Sequence, residues 1–469
     1  LMLNQRIESA IFILYGSLFF WLPIPLGGKF PWATSAMEIW IFLLTIATIW
    51  MIATRRMAMP ATFSHNHTAL ILISSTTLWI LIQIVPLPSS LLSLLSPVAA
   101  SIPGQDTIAL DPNITVLQLQ KSLALVLLFA LTLLLVHTRE RLKWLAYIIT
   151  ASAFLHALFA IVLELSGIQY TVHLYGYSDL DKPVIPTGRA KGFHSNPDHL
   201  AGMLEISLAI GIGLLISMLH SHQFSGWRQR IRHISQTILG PKARLRIILM
   251  ILCIALVMTH SRMGNSAFFI SLMISGVLFL LLSRHASRAV SIFIVSLIVL
   301  DIVIIGSWVG LQKVVDRIEQ TTTTSEAQRG DVYADTLAMT SDFRLSGIGA
   351  GNFFSAFPGY KQDGPTYYID HVHNDYLELL LELGLAGFTP LALLLIYALI
   401  RTLITLKQRR SGLILGMSFA SLMGIISILI HSTVDFNLQV PSNAALFTVL
   451  VAIPFICARL HSEAHGRDT

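Results

Sequence analysis

The sequence predicts an all-α polytopic membrane protein of about twelve transmembrane helices, with a substantial loop region on one face. Two observations carry this. Hydrophobic residues make up 54% of the 469 and charged residues 12%, where a soluble domain holds roughly 25% charged; the mean hydropathy is +0.71. The apolar residues also fall in runs near the ~20 residues that cross a bilayer. Those runs are continuous rather than alternating, which favours helices over a barrel.

In chain order the runs lie at about 8–25, 36–54, 68–86, 120–137, 144–166, 199–219, 245–260, 264–283, 289–310, 384–400, 412–431 and 441–459. The Ser/Thr-rich run 68–86 and the short run 245–260 are the weakest spans. The first run follows Arg6 and lacks a small-x-small cleavage site, so it is read as an uncleaved helix. Twelve crossings place both termini on one side. On that side fall 20 of the 31 Lys and Arg, mostly in short loops, including Arg55, Arg56, Arg139, Arg141 and Lys143. The positive-inside rule makes that side cytoplasmic. The pI of 9.3 is then topological, with "WRQRIRH" and "PKARLR" lying against anionic lipid, and no nucleic-acid partner is expected. Cys253 and Cys457 both fall in predicted helices, and no zinc spacing accompanies them.

Three outer loops are long enough to build structure: about 87–119, 167–198 and 311–373. The expected organisation is residues 1–310 with helices one to nine, an outer-loop subdomain at 311–373, and 374–469 with the last three helices. The first loop has Pro and Gly punctuation and no basic residue before Lys121, which suits architecture more than chemistry.

Three polar features share the outer face: Arg189 in "TGRAKGFHSNPDH", Arg262 in "THSRMGN" and His373 in "HVHNDY". Arg262 occupies a tight turn between apolar helices. It reads either as an arginine snorkelling to lipid headgroups or as a phosphate clamp, for which a planar guanidinium fork is suited. Arg189 carries the same two readings. The segment after it turns at Asn-Pro and opens a helix with Asp198 near its start. His373 is the candidate base, since a neutral imidazole accepts a proton near pH 7; its companion His371 either shares that role or orients the loop. Asp375, Glu378 and Glu382 fall on one helical face, where they favour the positive helix end and line a wet groove. "GIGAG" (347–351) lacks the P-loop lysine and is read as a turn. Glu164, Glu205 and Asp301 sit within apolar spans, which makes them functional candidates by default.

"HNDYLELLLELGLAG" resembles the signature of the O-antigen ligase and polymerase superfamily: His373 and Asn374, nine residues, Gly384, two residues, Gly387. "GRAKGFHSNPDHLAG" and "SRMGN" resemble two arginine-bearing stretches of that family, in the expected order, and "HSTVDFNLQVPSN" (431–443) resembles a later motif. The resemblance implies a GT-C-like, metal-independent inverting glycosyltransferase of the bacterial inner membrane that needs no cofactor. The donor would be a glycan on undecaprenyl pyrophosphate. Arg189 and Arg262 would hold the pyrophosphate and His373 would position or deprotonate the acceptor hydroxyl on the periplasmic face. His371, Asn374, Asp375, His194 and Asp435 would support it. Ligation to lipid A–core is the first reading, polymerisation onto a second lipid-linked glycan the next, and glycosylation of protein a third. A transporter or flippase of lipid-linked glycan is the alternative from another class, but neither repeated halves nor midplane helix breaks are visible.

Overall fold

The computed structural model describes residues 2–167, 188–219, 240–284, 286–300, 302–303, 323–361 and 369–460, without side chains for 323–329. Asp301, the segment "WRQRIRH", and parts of the second and third outer loops lie outside them. Thirteen long helices organise the described residues. They are α1 (Met2–Trp21), α2 (Pro31–Ala53), α3 (His67–Gln83), α4 (Pro112–Leu135), α5 (Arg139–Ser166), α6 (Pro197–Met218), α7 (Pro241–Met258), α8 (Arg262–Leu282), α9 (Arg288–Leu300), α10 (Thr323–Asp342), α11 (Asp375–Gln408), α12 (Gly412–His431) and α13 (Pro441–Arg459). No β-sheet is present among them; one isolated bridge joins Leu26 to His194.

The protein is an all-α, polytopic membrane protein. Every one of the twelve apolar runs overlaps a helix, and eight of the described helices are long and apolar enough to cross a bilayer. The two weakest runs, now α3 and α7, are outside those eight, as are α1 and α9. Local chemistry sets the starts. Proline occupies the first turn of α2, α4, α6, α7 and α13, where its missing N–H is no loss. Asp111, Asn196, Ser261 and Asn374 cap α4, α6, α8 and α11 through their side-chain oxygens.

α6 is the hub. Its residues from His199 to Ile216 are all buried, and α5, α7, α8, α12 and α13 pack around it. A Cβ on Gly213 would meet the carbonyl oxygen of Gly416, and a Cβ on Gly416 that of Gly213. The backbones of α6 and α12 therefore touch, as small residues permit in membrane bundles.

α11 begins nine residues before the apolar run that announced it. Its 34 residues are broken at Gly384, with φ 61° and ψ −177°. The break is filled by the "GIGAG" turn. Ile348 N–H donates to the Leu381 carbonyl, Gly349 N–H to that of Glu382, and Leu385 and Ala386 N–H to those of Arg344 and Leu345. A Cβ on Gly384 would strike the Leu345 carbonyl and Gly347 nitrogen, so only glycine fits both the φ and the space. Gly387 sits against Trp79 of α3 in the same manner. The first part of α11, with Asp375, Glu378 and Glu382, thus stands apart from the long apolar second part. It joins a second apolar core built from Leu92, Ile108, Met339, Phe343, Phe353, Phe357, Val372 and Leu381. That core caps the end of the bundle where α6, α8, α11 and α13 begin and α7 and α12 end.

Candidate active site

The arginine half of the site is built on the α7–α8 turn. α7 ends at Met258 and α8 starts at Arg262; His260 between them takes the left-handed conformation (φ 48°). Ser261 caps α8 by accepting from Gly264 N–H, leaving Arg262 exposed at the first helical position. The Arg189 segment docks onto this turn: Ala190 N–H donates to the Met258 carbonyl at 2.8 Å, and Arg189 Nε donates to the Thr259 carbonyl at 2.9 Å. Arg189 Nη2 also donates to Asp198 Oδ1 at 2.7 Å. Arg189 and Arg262, distant in sequence, are thus held on one short turn. Part of the Arg189 fork is committed to orienting it, and the rest is available to an anion.

The histidine half is built on the segment before α11. His373 has φ 58°, a conformation that costs a non-glycine residue roughly 1–2 kcal/mol and that clusters at functional sites. Tyr333 of α10 stabilises it by donating to the His373 carbonyl at 2.6 Å. The imidazole remains 31% exposed, with Nδ1 3.7 Å from Asp435 Oδ1; that is an ion-pair separation, longer than a hydrogen bond. The charged neighbour of His373 is thus a carboxylate. Burial opposes ionisation of Asp435, but His373, His199 and His431 around it hold its carboxyl down at about 2.

His371 points the other way, Nδ1 to Glu378 Oε1 at 2.7 Å, while Val372 N–H donates to Oε2 of the same carboxylate at 2.9 Å. Burial works against a charge on His371, yet Glu378 overrides it and raises the imidazole above its ordinary value. One aromatic ring separates the histidines. Phe436 stacks on His371 (4.1 Å between centroids) and meets His373 and His199 edge-on at 4.9 and 4.7 Å.

The start of α6 joins the two halves. Asp198 binds Arg189, and the next residue, His199, packs on Phe436. Close approach is secured by glycines: a Cβ on Gly202 would strike Asn437, and one on Gly264 would press on Ala201 and Glu205. Asn374 and Asp375 serve as joints. Asn374 caps α11 through Leu377 N–H and donates to the Thr433 carbonyl at 2.9 Å. Asp375 Oδ2 accepts from Ser432 Oγ at 2.7 Å and from Leu438 N–H at 3.1 Å. The carboxylates expected along a wet groove are in fact buried: Asp375 and Glu378 are 1% exposed and Glu382 5%, each bound to a loop it fastens. His194 lies apart, fully buried beside Gly27, and burial pushes its imidazole well below the ordinary value, keeping it neutral.

Beyond Phe436 from the arginines opens a polar cavity of about 290 Å³ lined by Lys29, Glu38, Lys121, His199, Asp370 and His371, among others. Through Gln118, Lys121 and Gln439 it shares walls with an apolar groove of about 210 Å³ between α3, α4, α11 and α13. Sequence reasoning missed His199, His431, Phe436, Glu38 and Lys121. Glu38 and Lys121 are charges within or bordering apolar runs, the same signal that singled out Glu205. Among the described residues no three His, Cys, Asp or Glu side chains are grouped to hold one metal ion.

Fold and site together define a polytopic membrane protein with a cationic turn and a histidine–carboxylate cluster at one end of its bundle. Residues 247–392 match the family model described as O-antigen ligase (Wzy_C), so the chain carries an O-antigen ligase family domain there, which supports the resemblance to the O-antigen ligase and polymerase superfamily. The matched stretch holds Arg262 and His373; Arg189 and Asp435 lie outside it. No curated protein sequence matches the chain.

Proposed function

We propose that this protein is an inverting glycosyltransferase that moves a glycan from undecaprenyl pyrophosphate to an acceptor hydroxyl on the periplasmic face of the inner membrane, without a metal. The observation that carries the reading is the convergence of Arg189 and Arg262 on one turn, joined through Asp198 and His199 to the His373–Asp435 pair. Arg262 and the uncommitted edge of Arg189 bind the pyrophosphate and stabilise the charge that develops as it leaves. His373, with Nδ1 turned to Asp435, presents Nε2 to the acceptor and takes its proton. The acceptor oxygen bonds to the anomeric carbon as the bond to the pyrophosphate oxygen breaks, and the leaving group keeps that electron pair.

The further expectations follow the same reading: about twelve crossings in a GT-C-like arrangement, both termini cytoplasmic, and the capping core of the first and third loops in the periplasm. Ligation to lipid A–core is favoured over polymerisation only by the family's description, since the site geometry serves either acceptor. The test is reconstitution in nanodiscs with an undecaprenyl-pyrophosphate glycan, offering lipid A–core and lipid-linked repeat units separately. Product on lipid A–core identifies a ligase, and a ladder of longer lipid-linked glycans a polymerase. No product with either acceptor, from folded protein, counts against the reading.

A further inference from the structure

Glu205 is a carboxylate within the continuously buried stretch of α6 from His199 to Ile216 and is itself 0% exposed. An unpaired charge there would cost several kcal/mol, so its partners matter. Oε1 faces His431 Nδ1 at 2.7 Å and Oε2 accepts from Ser427 Oγ at 2.6 Å. His431 closes α12 and is itself 1% exposed; its other nitrogen, Nε2, faces Asp435 Oδ2 at 3.7 Å. Asp435 Oδ1 in turn faces His373 Nδ1. Four side chains from α6, α12 and the loops before α11 and α13 therefore form one line, Glu205–His431–Asp435–His373, running from the bundle interior to the exposed imidazole.

Resting on the transferase reading above, we propose that His431 and Glu205 are positioning residues for His373, acting through Asp435. His431 meets Glu205 at hydrogen-bond distance and Asp435 at ion-pair distance, and a carboxylate on each side favours its cationic form. The line then carries one negative charge in excess while His373 is neutral and is balanced once His373 takes the acceptor proton. His431 also fixes Asp435 from behind. The carboxylate keeps one oxygen toward His373 Nδ1, which sets the tautomer that leaves Nε2 open. The other titratable groups at this junction are Asp198 and His199 of α6, His371, and Asp375 and Glu378 of α11. From α8 the residue against Glu205 is Gly264. None of them replaces His431 between the two carboxylates.

A helix tie between α6 and α12 would use the same contacts, so the test must read more than stability. His431→Gln, His431→Ala and Glu205→Gln are compared with wild type in nanodiscs for transfer kinetics across pH, with the folded fraction measured on each sample. Expected is a fall in kcat of about 10–100-fold for His431→Ala, the range typical when a hydrogen-bonded supporting residue is removed. KM for the undecaprenyl-pyrophosphate donor should stay within about twofold, because the arginine turn is untouched. In Glu205→Gln the line loses a negative charge and the acidic limb of kcat moves to lower pH. If His431→Ala fails to fold, His431→Gln and the isosteric Glu205→Gln carry the test. Variants that lose thermal stability but keep kcat and its pH profile per folded molecule overturn the proposal and leave a structural tie. If His373→Ala and Asp435→Asn also transfer as well as wild type, the transferase site itself is wrong and the relay falls with it.

Discussion

Replacing Asp435 by asparagine removes one charge from the histidine half while keeping its shape. Asp435 Oδ2 accepts from Asn437 Nδ2 at 3.1 Å, a bond that the amide oxygen of the variant side chain retains, and its backbone carbonyl still accepts from Asp375 N–H. What disappears is attraction to the imidazolium that His373 becomes during transfer. Two unit charges 3.7 Å apart interact by roughly 4–5 kcal/mol at an effective dielectric near 20. His373 is about one-third exposed, and water and salt there reduce this to roughly 2 kcal/mol. At 1.36 kcal/mol per decade that is about a 30-fold fall in kcat. The donor KM should be unchanged. Steady-state transfer kinetics measure both. A kcat within twofold of wild type, in protein of normal thermal stability, would refute the dyad.

Arg262→Lys keeps the charge but loses the paired donors, worth about 1.5–3 kcal/mol for a charge-assisted contact; kcat/KM should fall about 10–100-fold, whereas an arginine that only meets lipid headgroups tolerates lysine. Gly384→Ala places a side chain at φ 61° against the Leu345 carbonyl and should cost about 2 kcal/mol or more, read as a lower midpoint in thermal unfolding; an unchanged midpoint would mean the α11 break is not held by the "GIGAG" turn. Asp435 is buried and ionises at about 2. A carboxyl held below its unfolded value lends stability that is complete above the unfolded pKa, near 4, and is lost as pH falls through 2. The difference is roughly 2 kcal/mol, so unfolding free energy should drop between pH 4 and 2 in wild type and drop less in Asp435→Asn.

Much of the fold was legible because apolar length and continuity directly report bilayer crossing, and each of the twelve runs overlaps a helix. The break at Gly384 was not, because an apolar run looks the same whether it is straight or interrupted; what interrupts it is the distant turn at 347–351. In the site, Arg189, Arg262 and His373 stood out as polar residues next to apolar runs. How their partners meet them was not legible. Asp435, singled out by the resemblance alone, and His431 lie about sixty residues beyond His373, and nothing in local spacing says that Asp435 returns to His373 Nδ1. His199 and Phe436 look like ordinary residues of a helix start and a loop. Only the packing of α6 against the 431–439 segment makes them the link between arginines and histidines. Glu205 was visible as a charge in an apolar span, but its role depended on locating His431.

The most direct measurement is the anomeric configuration and yield of the transferred glycan, determined by NMR on product made with a defined undecaprenyl-pyrophosphate donor in the presence of EDTA. The expected result is a single product inverted at the anomeric carbon, formed at the same rate with or without EDTA and lost in both Arg262→Ala and His373→Ala. Retained configuration, a requirement for added metal, or undiminished product from both variants would contradict the mechanism assigned to this site.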